Sequence, residues 1–240
     1  MSLSSCFGIL NIHNHTVFSD GHSTVHDYVS FAKKNGIKAF GISDHALHSL
    51  LPGSCISEPE VLNEYLDELK RCAASATDAK KMRVFRGLEV QLGNARNLSL
   101  KLGEGVFHLD YMLVESYGIW NPDAVGLLDG IKDELGLRAL SLAHPIFSGN
   151  GDELVRELKR CGLCVELNSG HRTFEIPGQG AYFKKIIRDG VPMTFGSDSH
   201  SFERLNDLAS SGKFYSRFCK EAGVGVDAEG GAAVARSKTS

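Results

Sequence analysis

Strand-like apolar runs alternate with helical patterns along this chain, and nearly every run ends in a histidine or a carboxylate. The runs cover residues 7–12, 37–43, 82–90, 109–116, 138–143, 163–168 and 191–196. His13 and His15 follow the first, and Asp44 and His45 follow the second. Glu89 ends the third, His144 follows the fifth, Glu166 and Asn168 end the sixth, and Asp198 and His200 follow the seventh. Strands that alternate with helices run parallel and are joined by crossovers. An open doubly wound sheet gathers reactive groups at a switch point between a few strands, whereas a barrel gathers them from all strands onto one rim. No glycine-rich fingerprint opens the first helix, which counts against a dinucleotide-binding sheet. The placement predicts an α/β barrel of about seven strands.

The intervening segments carry helix signals. Thr24 can cap a helix over residues 25–35, which Gly36 stops. Residues 58–78 show an apolar stripe of Val61, Leu62, Tyr65, Leu66, Leu69 and Cys72. Asn121 before Pro122 starts a helix predicted to run to 135, and further helices are predicted over 151–161, 180–189 and 202–222. Residues 98–107 read as a loop or a short helix. Residues 1–222 are expected to form a single barrel domain. The tail 223–240, rich in Gly, Ala and Ser, is expected to be frayed.

A chain of 240 residues suits one medium domain with a real core. A net charge of −3 lacks the basic footprint of a nucleic-acid binder. No apolar run approaches the ~20 residues of a membrane helix, and the start has no basic region of the kind that opens a secretion signal. The six cysteines are scattered. Cys161 and Cys164 lie across a turn at Gly162, without the helix start that activates a redox pair, and read as ordinary thiols of a reduced compartment. A cytoplasmic protein is expected, with a small molecule and neither membrane nor nucleic acid as its main partner; the oligomeric state is left open.

Residues two apart on a strand point the same way, so His13 and His15 can face one ion. Zinc, iron and manganese accept imidazole and carboxylate together. His13, His15, Asp20, His45, Glu89, His144, Asp198 and His200 are more ligands than one ion uses, so two or three ions are expected, with Glu89 as a bridge. Ions clustered ~3.5–4 Å apart are apparatus for hydrolysing phosphate esters. His22 is an understudy for Asp20, His26 reads as a solvated surface residue, and His48 reads as a surface-loop residue first, with contact to substrate as the alternative. Asp44 is expected to hydrogen-bond a ligating imidazole, and Asn168 to orient a neighbour.

The segments HNHTVFSDG, GISDH, GLEV, LAHP, VELN and FGSDSH, in this order, resemble the motifs of the PHP (polymerase and histidinol phosphatase) family, over about residues 12–201. The resemblance implies a distorted (βα)7 TIM-like barrel with a trinuclear metal centre, and mostly phosphate-ester hydrolysis. It implies that His13, His15, Glu89 and Asp198 hold one ion, Glu89 and His144 a second, and Asp20, His45 and His200 a third. The family usually ends its fourth strand with a histidine ligand, where this chain has Tyr117. A weakened, water-filled second site is the first expectation there; Glu115, Tyr117 itself and His108 are the other substitutes.

The run VELNSGHR resembles the histidinol phosphatase branch. It suggests Arg172 as a bidentate fork for phosphate, against the equal alternative of a solvated loop arginine, and His171 as a general acid. The expected reaction is hydrolysis of the phosphate monoester of a small metabolite, histidinol phosphate first and a nucleotide or sugar phosphate next. Two rivals remain. One is a metal-dependent C–N hydrolase of amidohydrolase type, which usually carries a bridging lysine at the kind of position Glu89 occupies. The other is a catalytically degenerate PHP module with a structural or partner-binding role, which the missing histidine favours.

Overall fold

The structure, a computed structural model, describes residues 10–75, 82–116 and 118–222. Part of the first predicted strand (7–9), the end of the second predicted helix (76–78), Tyr117 and the tail 223–240 lie outside the described residues. The strands are β1 (Ala39–Ile42), β2 (His45–Ala46), β3 (Arg83–Gln91), β4 (Tyr111–Glu115), β5 (Ala139–Leu142), β6 (Cys164–Asn168) and β7 (Met193–Gly196). All pairings are parallel, in the order β1-β3-β4-β5-β6-β7, with β2 also on β3. β1 and β2 lie end to end along β3, so the predicted strand 37–43 is continued past a break at Ser43–Asp44.

The first predicted strand is not a ladder. Among the described residues it carries only isolated bridges, Asn11 to Phe195 and Asn14 to Ser199. It still curls the sheet toward closure, because Ile12 N donates to Phe195 O at 3.0 Å on one side and Asn11 O accepts from Gly41 N at 2.9 Å on the other. Side-chain amides do part of the stitching. Asn11 Nδ2 donates to Ser197 Oγ (2.7 Å) and Leu205 O (3.0 Å), and Asn14 Nδ2 donates to Gly41 O (2.8 Å). A distorted TIM-like barrel results, with one helical connection after another on its outside.

α1 (Val25–Lys34) opens with a reciprocal capping box between Thr24 and Asp27 and stops at Gly36, which takes a φ of +68°. α2 (Pro59–Ser75) leads into β3. The short α3 (Leu92–Ala95) and α4 (Leu98–Leu102), with a 3-10 turn over Gly103–His108, lead into β4. The single helix predicted over 122–135 is instead two pieces, α5 (Pro122–Gly126) and α6 (Ile131–Glu134). Asn121 caps the first as expected, but Gly130 at φ +79° breaks the run. α7 (Gly151–Arg160) and α8 (Gln179–Arg188) follow β5 and β6. The predicted closing helix begins as a 3-10 turn, Phe202–Arg204, and resumes as α9 (Ala209–Ala222). No helix among the described residues is long and apolar enough to cross a membrane.

The larger apolar core lies between sheet and helices, and a smaller one fills the barrel: Ile12, Phe85, Tyr111, Leu113, Ala139, Ala143 and Cys164. Cys161 and Cys164 are buried and unbridged, and burial pushes the Cys164 thiol up to about 12. Tyr111 spans the inner core and donates to Ile12 O at 2.5 Å. Its ring has room because Gly41 and Gly87 lack side chains; a Cβ there would sit 2.4 Å from its hydroxyl oxygen and 2.2 Å from Cζ. Tyr111→Phe should therefore lower stability by about 1–3 kcal/mol, since it leaves a buried carbonyl short of a donor. The shift is read from the midpoint of urea unfolding, and an unchanged midpoint would remove this bond from the account.

Candidate metal centre

The carboxyl ends of the strands converge on Glu89, which is 1% exposed near the end of β3. Its Oε2 lies 3.1 Å from His13 Nε2, 3.5 Å from His15 Nε2 and 3.2 Å from His45 Nδ1. Its Oε1 lies 3.2 Å from His144 Nε2. His45 reaches it because β2 pairs with β3 in a register that sets His45 opposite Glu89. Asp198 Oδ1 stands 2.9 Å from His15 Nε2 and 3.4 Å from His13 Nε2, while its Oδ2 holds His171 Nε2 at 2.7 Å. Asp20 approaches from the loop, with Oδ2 3.2 Å from His200 Nε2 and Oδ1 3.8 Å from His45 Nε2.

Among the described residues five groups of ligand atoms lie within 4.8 Å of one another, three of them built on His15 or Glu89: His13, His15, Glu89 and Asp198; His15, His45 and His200; and Glu89, Glu115 and His144. The eight ligands expected from the sequence each sit in or against one of them, Asp20 lying against the second. The backbone is bent to achieve this. His144 and Asp198, both just past a strand end, have φ values of +28° and +50°. Side chains rarely adopt that region, and such residues cluster at functional sites.

A buried carboxylate orients the central imidazole. Glu166, fully buried in β6, has Oε1 2.8 Å from His13 Nδ1, which turns His13 Nε2 toward Glu89 and Asp198. Its Oε2 accepts from His144 N at 2.7 Å and from Asn168 Nδ2 at 3.2 Å. Glu166→Gln is expected to weaken ion binding about 10–100-fold while the protein stays folded, as removal of such supporting carboxylates does elsewhere. Calorimetric titration with manganese checks this; wild-type affinity would refute the role.

The electrostatics suit cations. Burial and the neighbouring charge of His15 push His45 down to about 3, leaving a neutral ring with one nitrogen lone pair free to bind. Burial would lower His13 too, but Glu166, Glu89 and Asp198 together hold it well above its ordinary value. Asp20, despite partial burial, is drawn down to about 2, chiefly by its bond to His200. Burial and the adjacent Glu89 push Glu115 up to about 7. Both ring nitrogens of His15 and Nδ1 of His45 are sealed from water without a well-directed hydrogen bond. Buried nitrogens that aim at shared points near carboxylates, rather than at partners of their own, fit divalent ions of the zinc, manganese or iron class.

The family model of the PHP domain matches residues 11–170. The chain belongs to the PHP family. A probable phosphatase of Shewanella sediminis (strain HAW-EB3) is 24% identical over 216 residues, 85% of this chain and 82% of that protein. The DNA polymerase/3'-5' exonuclease PolX of Bacillus subtilis (strain 168) is 17% identical over 82% of this chain, but the match takes in 35% of that protein. Among solved structures, histidinol phosphate phosphatase of Lactococcus lactis subsp. lactis Il1403, complexed with zinc, L-histidinol and phosphate, superposes with a TM-score of 0.60 at 15% identity, covering 88% of this chain and 94% of that one. The putative histidinol phosphatase of Listeria monocytogenes gives 0.59 at 15% identity, covering 84% and 98%. These two likenesses establish the PHP fold.

Several expectations need correction within this PHP frame. Asp44 does not hold a ligating imidazole; it accepts from Thr16 N (2.6 Å), Thr16 Oγ1 (2.7 Å) and Ser19 Oγ (2.6 Å), pinning the loop that carries Asp20. Glu166 performs the role expected of Asp44, and its inward position on a strand end was the available sign. His48 is not a surface residue: it is 8% exposed, with Nε2 2.6 Å from Glu115 Oε1. His22 and His26 are exposed, and His22 joins none of the ligand groups. His108 precedes β4 and so belongs to the opposite rim, while Tyr117 lies outside the described residues. At the second site the carboxylate of Glu115, one of the substitutes named for the absent histidine, stands near Glu89 and His144. Asn168 orients its neighbours as expected, accepting from Gly170 N at 2.9 Å and His171 N at 3.0 Å. His171 is at the centre, stacked on His144 at 4.2 Å. Arg172 is not; it lines an adjoining groove of about 980 Å³ with Lys184, Lys213 and Arg217, and pairs with Glu175 at 3.5 Å.

Proposed function

We propose that this chain is a metal-dependent phosphoesterase that hydrolyses the phosphate monoester of a small metabolite, with histidinol phosphate first among the substrates to try and nucleotide or sugar phosphates next. The observation that carries the reading is the convergence of ring nitrogens from His13, His15, His45 and His144 within 3.5 Å of a single residue, the buried carboxylate Glu89. His13, His15, Glu89 and Asp198 would hold one ion, Glu89 and His144 a second, and Asp20, His45 and His200 a third. Ions held there would supply an acidified water and would neutralise charge on the phosphoryl group. The solved Lactococcus relative, bound to zinc, L-histidinol and phosphate, supports both the cofactor class and the substrate class.

The chain's own residues prepare the rest. Glu166 fixes the orientation of His13, and Asp44 holds the loop from which Asp20 reaches in. His171 is exposed at the mouth, steadied by Asp198 and by its stack on His144. From there it can donate a proton to the departing alkoxide.

Metal content measured by mass spectrometry on protein purified without chelator, with hydrolysis of an aryl phosphate on the same sample, tests the reading. At least about two divalent ions per chain are expected, as a clustered-ion mechanism requires. Chelator should abolish turnover, and added manganese or zinc should restore it. Ions without phosphatase activity would turn attention to C–N substrates. Protein without ions, and without rescue, would make this a partner-binding module.

A further inference from the structure

The second ligand group departs from the family pattern at the end of β4, and the structure shows what stands there. Glu115 is the last residue of β4 and is 6% exposed. It shares the parity of Leu113, an inner-core residue, and Leu113 is set opposite Glu89 in the β3–β4 register. The two carboxylates therefore rise from neighbouring strands on the same, inward face. Glu115 belongs to two groups whose ligand atoms lie within 4.8 Å of one another, one with Glu89 and His144 and one with His45 and His48. His48 comes from the loop after β2, packs on His45 with ring centroids 4.6 Å apart, and sets Nε2 2.6 Å from Glu115 Oε1. Two buried carboxylates facing one another are unfavourable when both are charged, and a cation between them relieves that repulsion.

We propose that Glu115, positioned by His48, completes the second divalent-cation site of this chain, as a ligand alongside Glu89 and His144. The inference rests on the reading that ions occupy this centre. It gives the second site a more oxygen-rich donor set than a histidine would, which favours manganese relative to zinc.

The test counts and titrates ions without reference to turnover. Wild type, Glu115→Ala, Glu115→Leu, Glu115→His and His48→Gln are loaded with manganese, passed through gel filtration and analysed by mass spectrometry, with manganese and zinc titrations by calorimetry and thermal melts to check folding. Glu115→Ala, or Glu115→Leu if the smaller residue does not fold, is expected to lose about one ion per chain while the others stay. His48→Gln should keep that ion but bind it about 10–100-fold more weakly. Glu115→His should regain the ion with its preference moved toward zinc, which a purely structural role for Glu115 would not produce. A folded Glu115→Leu protein with the wild-type number of ions at wild-type affinity would overturn this proposal alone. Wild type that holds no ions would overturn it together with the proposed function.

Discussion

Glu89→Gln is expected to lower kcat/KM for an aryl phosphate by about a thousandfold or more, because several kcal/mol of charge stabilisation depend on the ions, at about 1.4 kcal/mol per tenfold. The amide has the shape of the carboxylate, so packing in this fully enclosed position is retained. What changes is charge and lone pairs. Glu89 faces ring nitrogens of His13, His15 and His45 through one oxygen and of His144 through the other. An amide replaces one of those acceptors with a donor and removes the charge that two ions would share. Metal analysis should show the loss of at least one ion per chain in the same preparation. Turnover within tenfold of wild type, with full ion content, would mean that Glu89 is not the shared ligand.

Gly196→Ala should be the most damaging single-methyl change in the barrel, costing about 3 kcal/mol or more, at the upper end of what overpacking does. Its Cβ would fall 1.9 Å from Glu166 Oε1 and 2.5 Å from His13 Cβ. Neither neighbour can step aside. Glu166 is fully buried and already engaged with His13, the amide of His144 and Asn168. Any move that relieves the clash releases the central imidazole, so stability and ion affinity should fall together. Gly212→Ala, in α9 with nothing within 4 Å of its Cβ, serves as the control. It should be neutral or stabilising by about 0.5–1 kcal/mol, as alanine usually is in a helix interior. Thermal melts of the two variants side by side decide the matter; equal melting temperatures would remove the steric argument.

The convergence of candidate ligands was legible in the sequence wherever one follows directly from a strand end. His13, His15, Glu89, His144, Asp198 and His200 could be placed on one rim because a parallel strand delivers its carboxyl end there, whatever its exact length. Roles that depend on loop paths were not legible. His48 lies in a loop whose course has no periodicity, so nothing in the chain told of its meeting with Glu115. Asp44 adjoins a ligand in sequence, yet its carboxylate turns to Thr16 and Ser19. Arg172 adjoins His171, but a left-handed turn at its own backbone, φ +50°, sends it toward the adjoining groove. In the fold, the parallel pairing of the strands followed from the alternation of patterns. The broken helix at Gly130 and the amide-stitched segment near Asn11 did not, because each depends on one residue's conformation or on partners distant in sequence.

The left-handed backbone of His144 and Asp198 sets stability against side-chain placement. Each costs on the order of 1–3 kcal/mol relative to a relaxed position. Glycine would relieve that burden at either place. The same change would remove the imidazole that faces Glu89 and the carboxylate that faces His15. Stability and the placement of these two side chains are therefore opposed at both positions.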